Sequence, residues 1–229
     1  MFFDPLYLLV VAPGLLLALW ASYRVKRDFA RYSEVGSENG YSGAKAARHL
    51  LDRAGISDVR VVPTNGFLSD HYNPLSKQLA LSEEVYQSRS VAAIGIAAHE
   101  AGHAIQHATK YAPLWLRSVL VPTATVGSSV GYIVMAVGLL LSPYVVLIGA
   151  VLFSAVLLFQ IVTLPVEFDA SRRAKRLVTE AGIIHPWERE GVDRVLNSAA
   201  LMYVAAVVSS LLVLLYYLFR AGFLGSRDE

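Results

Sequence analysis

The chain has 229 residues, of which 55% are hydrophobic and 17% charged, with 20 Lys+Arg against 18 Asp+Glu and no cysteine. Soluble globular domains carry about 25% charged residues, so an ordinary soluble domain is excluded, and without cysteine there is no disulfide, no thiolate zinc ligand and no thiol nucleophile. The near balance of charge, formally +2, carries no nucleic-acid signature.

Residues 5–23 hold no charged side chain and are followed at once by Arg24, Lys26 and Arg27. A cleavable signal would have its basic residues before the apolar stretch. Here Asp4 precedes it, so 5–23 is expected to be a retained first transmembrane helix. The segment 24–117 reads as a small α+β unit. Ser42 can cap a helix over 44–53 that Gly55 closes. Three strand-like stretches follow, 59–62, 67–72 and 78–82, separated by Pro63-Thr64-Asn65-Gly66 and Asn73-Pro74 turn chemistry, and a small antiparallel sheet is the economical reading. A helix is expected from about 90 to 110.

From Ser118 to Val166 there are 49 residues without a charge. As one helix they would measure about 73 Å, more than twice the roughly 30 Å of a hydrocarbon core. Ser142-Pro143 breaks the run near its middle, giving transmembrane helices over 119–141 and 144–164. Gly127, Ser128, Ser129, Gly131 and Gly138 are small enough to let such helices approach closely. A charged segment, 165–194, leads to a last uncharged run over 195–219. Of the 20 basic residues, 12 lie in 24–117 and 6 in 165–194. The positive-inside rule therefore puts both segments in the cytoplasm of a multi-pass cell-membrane protein, with both termini and the Ser142-Pro143 turn on the opposite side.

The helix expected over 90–110 contains His99-Glu100-Ala101-Gly102-His103. Positions four apart share a helix face, so both imidazoles can reach one zinc ion, with Glu100 beside the open coordination position as acid/base. The motif follows an uncharged run of small and apolar residues over 91–98, surroundings in which polar side chains are rare without a use. Gly102, costing about 1 kcal/mol relative to alanine, argues against a merely structural helix. A third ligand is needed. His107 lies on the same face, but eight residues of helix span about 12 Å, which makes it a packing or supporting residue. Gln106 and Thr109 occupy the places that the longer metzincin motif fills with Gly and His. Among the acidic candidates (Asp70, Glu83, Glu84, Glu167, Asp169, Glu180, Glu188, Glu190 and Asp193), Glu167 stands out as the first charge after the helical hairpin. Asp169 and Ser171 could orient the ligands.

The stretches Asp70-His71-Tyr72-Asn73-Pro74, Ala97-Ala98-His99-Glu100-Ala101-Gly102-His103-Ala104-Ile105-Gln106, Pro165-Val166-Glu167-Phe168-Asp169-Ala170-Ser171 and Val195-Leu196-Asn197-Ser198-Ala199-Ala200-Leu201 resemble the neutral zinc metallopeptidases of bacterial membranes, the YugP-like family. With the four spans they cover nearly the whole chain. The resemblance implies a multi-pass membrane zinc protein with His99 and His103 as ligands and Glu100 as catalytic acid/base. Similarity to glutamate-ligated zincins, such as the HtpX-like heat-shock and prenyl-protein proteases, supports Glu167 as third ligand. Those relatives often place an aspartate where this chain has Ser171.

The expected fold is a mainly α membrane protein, four transmembrane helices plus a small α+β zincin-like cytoplasmic domain. The expected function is peptide-bond hydrolysis at the cytoplasmic membrane surface, with one Zn2+ per chain, on a polypeptide substrate that is itself membrane-associated. An edge strand at 67–72 would hold the substrate and bring His71 or Tyr72 toward the scissile carbonyl, and Arg173 could serve the same oxyanion. Tyr203, near the cytoplasmic end of the last span, reads as an interfacial aromatic, and His49 and His185 belong to no constellation. The alternatives are a non-catalytic zinc scaffold and an intramembrane-cleaving metalloprotease. Metal transport is disfavoured because no span contains Asp, Glu, Lys, Arg or His.

Overall fold

The computed structural model describes residues 4–224. The chain is mostly helical: α1 (Pro5–Ser33), α2 (Gly43–Arg53), α3 (Glu83–Gln87), α4 (Val91–Ala108), α5 (Ala112–Val126), α6 (Tyr132–Leu141), α7 (Pro143–Glu180) and α8 (Arg189–Arg220), with strands β1 (Arg60–Thr64), β2 (His71–Asn73) and β3 (Gln78–Ser82). Two compact units divide it, one built from Met1–Ser22, Leu116–Leu164 and Leu201–Glu229, the other from Tyr23–Trp115 and Pro165–Ala200.

The first unit is made of apolar helix. Among the described residues four helical stretches are long and apolar enough to cross a membrane: Pro5–Ser33, Ala112–Leu141, Pro143–Glu180 and Pro186–Arg220. The second of these joins α5 to α6 through a π-helical turn, Gly127–Gly131. The chain reverses at Ser142, whose backbone is extended and whose N–H closes α6 on Gly138 O. A Cβ on Gly131 would stand 2.7 Å from the backbone N of Phe153 and one on Gly149 2.5 Å from that of Met135. The two helices therefore touch backbone to backbone, as small-residue membrane interfaces do. Gly127, Gly131 and Gly138 are buried in this way, whereas Ser128 and Ser129 face outward. At one end of the unit Tyr216 Oη donates to Asp4 Oδ2 (2.7 Å), and Arg220 pairs with the same oxygen at 3.3 Å.

The second unit is organised around α4. Ser90 caps it, its hydroxyl accepting from Ala93 N. Except for Ile96, His99, His107 and Ala108, every residue of the helix is buried. A helix apolar nearly all round must be wrapped on all sides. The wrapping comes from Leu50 and Leu51 of α2, Leu79 and Leu81 of β3, Ala174 and Val178 of α7, and Val192 and Leu196 of α8. At its end Lys110 adopts φ +53 and Tyr111 N bonds Gln106 O at 2.9 Å, a Schellman-type stop.

The sheet differs from the expected antiparallel meander. Its order is β1-β3-β2, with β1 parallel to β3 (Val62 opposite Ala80) and β2 antiparallel to it (Tyr72 opposite Leu79). The Pro63-Thr64-Asn65-Gly66 turn does not close a hairpin. Ser69 Oγ donates to Asn65 O and Gly66 O, and Leu68 sits at φ +52. These contacts curl 65–69 into a loop that carries the chain to the far side of β3, and the strand expected over 67–72 is confined to His71–Asn73. Only the Asn73-Pro74 turn makes a hairpin, with Asn73 Oδ1 accepting from Leu75 N and Ser76 N.

Candidate metal centre

Helix periodicity delivers His99 and His103 to one face of α4, their ring centroids 4.7 Å apart. The side-chain donor atoms of His99, Glu100 and His103 all lie within 4.8 Å of one another. From α7, Glu167 places Oε2 3.2 Å from His99 Nε2 and 3.5 Å from His103 Nε2. Donors bound at 2.0–2.1 Å around a tetrahedral zinc stand about 3.3–3.4 Å from each other. The three atoms thus have the spacing of ligands to one ion, and two imidazoles with a carboxylate are a catalytic zinc donor set.

Helix α7 can bring its carboxylate this close because α4 has no side chain at Gly102. A Cβ there would lie 2.9 Å from Ala170 O and 3.3 Å from Ala170 Cα. Packing is therefore a sufficient reason for this glycine, and it corrects the sequence argument that a structural helix would not keep one. Gly102→Ala is expected to push the two helices apart, costing about 1–3 kcal/mol and weakening metal retention. Thermal unfolding and zinc titration of the variant check this.

Each imidazole is held from behind. His99 Nδ1 meets Ser171 Oγ at 3.1 Å, so this serine holds the first of the two imidazoles. His103 Nδ1 meets Gln106 Oε1 at 3.0 Å. Gln106 Nε2 donates to Asp169 Oδ2 (2.9 Å), and Asp169 Oδ2 also accepts from Arg173 Nε (2.6 Å). Asp169 therefore reaches the centre through Gln106. The position of Gln106 three after His103 places it beside that imidazole on the helix.

Burial is nearly complete: Glu167 is 2% exposed, His103 7% and Glu100 8%. Burial works against a charged His103, yet the hydrogen bond it donates to Glu167 and the charges of Glu100 and Glu167 outweigh it and lift its pKa above the ordinary 6.5. A buried carboxylate facing two imidazole nitrogens draws in a cation, whether a proton or a metal. Asp70, just before β2, accepts from Ser82 N and Ser82 Oγ. Its pKa is raised by burial and by the charge of Glu100, which marks it as a neighbour of the prospective acid/base.

The remaining expected residues have other hydrogen-bond partners. His71 is exposed and its Nδ1 contacts Ser69 O at 2.8 Å. Tyr72 Oη and His107 Nδ1 pair with each other at 2.8 Å. Arg173 bonds Asp169 and lies over the Tyr111 ring, 5.8 Å from its centroid. Elsewhere His49 packs edge-on against Tyr41, and His185 stacks on Trp187.

Comparison with known proteins gives concordant results. A family model described as "Putative neutral zinc metallopeptidase" matches residues 7–222. The chain is 44% identical over 225 residues, 98% of its own length and 99% of the relative's, to the "Putative membrane protease YugP" of Bacillus subtilis (strain 168). No solved structure matches the chain.

Proposed function

The chain belongs to the neutral zinc metallopeptidase family, and from that footing we propose that it is a multi-pass membrane zinc endopeptidase of the glutamate-ligated type, hydrolysing peptide bonds of membrane-associated polypeptides at the cytoplasmic surface. The observation that carries this reading is the convergence of His99 Nε2, His103 Nε2 and Glu167 Oε2 at 3.2–3.5 Å beside the Glu100 carboxylate. One zinc ion per chain is held by those three atoms. Bound there, zinc supplies the Lewis acidity that brings a water's pKa to about 7 and polarises a carbonyl.

The protein's own groups handle the proton. The Glu100 carboxylate accepts one from the attacking water as its oxygen bonds to the peptide carbon, then delivers it to the amine nitrogen as the C–N bond breaks. Strand β2 is an edge of the sheet, so a substrate can add to it as a further strand. That arrangement gives His71 and the Tyr72–His107 pair a role beside the substrate backbone. Arg173 acts through Asp169, to which it is bonded. The orientation follows from charge: 18 of the 20 basic residues lie in 24–117 and 165–194, which puts those segments in the cytoplasm.

The test is a metal analysis and cleavage assay on the purified full-length protein with an unstructured polypeptide such as casein. One zinc per chain, cleavage abolished by a chelator and cleavage restored by zinc are expected. Stoichiometric zinc with no hydrolysis of any polypeptide offered would favour the non-catalytic scaffold.

A further inference from the structure

Gln106 is fully buried, at 0% exposure, and all of its polar capacity toward neighbours is used. Its Nε2 donates to Val166 O at 2.8 Å and to Asp169 Oδ2 at 2.9 Å. Both partners are pure acceptors, so the amide can take only this orientation, since a flipped amide would set its oxygen against two oxygens. Gln106 Oε1 is then the atom 3.0 Å from His103 Nδ1, and an amide oxygen can only accept. A neutral His103 must therefore carry its proton on Nδ1, which leaves Nε2 with a lone pair directed at the same space as Glu167 Oε2; only the doubly protonated ring can also donate to Glu167.

We propose that Gln106 is a positioning residue that sets the tautomer of His103 and gauges the distance between the two ligand-bearing helices. The inference rests on the zinc reading above and deepens it. Val166 immediately precedes Glu167, so one side chain is bonded both to a ligand on α4 and to the backbone turn of α7 that carries another. A shift of α7 along α4 would break the Val166 and Asp169 bonds together. The chemistry requires an amide of this length. Glutamate would present oxygens to Val166 O and Asp169 Oδ2, methionine or leucine would remove one donor from each of those acceptors and leave the His103 N–H without its acceptor, and asparagine is a methylene short. Asp169 is the anchor of the arrangement, held in turn by Arg173.

The experiment uses the full-length protein in detergent, labelled with nitrogen-15 at histidine and freed of zinc, at a pH where the imidazoles are neutral. Long-range proton–nitrogen spectra report which ring nitrogen of His103 is protonated. Wild type is expected to show Nδ1–H. Gln106→Met is expected to move the proton to Nε2, facing Glu167, to leave the His99 ring signals in place, and to weaken zinc binding about 10–100-fold in chelator competition. Protonation of neutral His103 on Nε2 in the wild type would overturn the proposal, with no variant needed. So would a folded Gln106→Met protein with unchanged zinc affinity. Wild-type protein that takes up no zinc would instead defeat the metal reading, while the tautomer measurement still decides the role of Gln106.

Discussion

Glu100→Gln is expected to keep zinc at the wild-type stoichiometry while peptide cleavage falls by about 10²–10⁴-fold, the range associated with losing a general acid/base. Glutamine preserves the size of the side chain on a helix whose packing is dense around this position, and the three converging ligand atoms do not include Glu100. The substitution also removes a negative charge beside Asp70, whose carboxyl is already raised by burial and by Glu100, so no loss of stability is expected from that contact. What disappears is the only function the amide cannot perform, accepting a proton from water and handing it to nitrogen. Zinc content, thermal unfolding and turnover on one preparation separate these effects. Turnover at the wild-type rate would sink the proposed mechanism.

Glu167→Ala carries the other large effect, on the metal itself. Structural zinc sites with four protein ligands bind with about 10–16 kcal/mol, so one ligand accounts for roughly 3–4 kcal/mol, or about 10²–10³ in affinity. In this protein the loss is compounded, because Glu167 Oε2 faces both imidazoles and its removal takes away the one carboxylate oxygen that meets both nitrogens. The helix around it is secured independently by Ala170, Ala174 and Val178, all fully buried, so the variant should fold. Glu180 provides the control: it is exposed on the same helix and paired with Arg176 at 3.7 Å, and Glu180→Ala should leave zinc untouched. Competition with a chelating dye measures both. Equal zinc affinity in Glu167→Ala and wild type would mean that another group completes the site.

The residues of the candidate site were legible because their signals are local or are forced by the membrane. His99 and His103 declare themselves by spacing alone, since a helix turns about 100° per residue wherever it forms. Ser171 was reachable by the same rule from Glu167, four residues on. Glu167 was found from the pattern of missing charge: a 49-residue uncharged run has to fold back, and the first carboxylate after it is thereby distinguished from every other.

The residues that were misread or passed over depend on neighbours distant in the chain. Gly102 looks like a local liability until Ala170 is seen 2.9 Å from where its Cβ would be. Gln106 is an unremarkable helix residue until Val166 and Asp169, 60 and 63 positions later, supply acceptors for its amide. Asp70 acquires meaning only from the charge of Glu100. The sheet order went the same way, because local turn chemistry proposes a hairpin but cannot tell a closed turn from the loop that Ser69 curls by bonding back to Asn65 and Gly66.

From the sequence by itself came the membrane class, the helix that presents two imidazoles and a carboxylate, and the candidate for a third ligand, because periodicity and the exclusion of charge from hydrocarbon act within one stretch of chain. Tertiary structure alone decided that a single glutamate oxygen meets both imidazoles, which glycine lets it approach, and which amide holds the second histidine. Those outcomes depend on how closely two helices pack, and that distance is set by side chains from both of them at once.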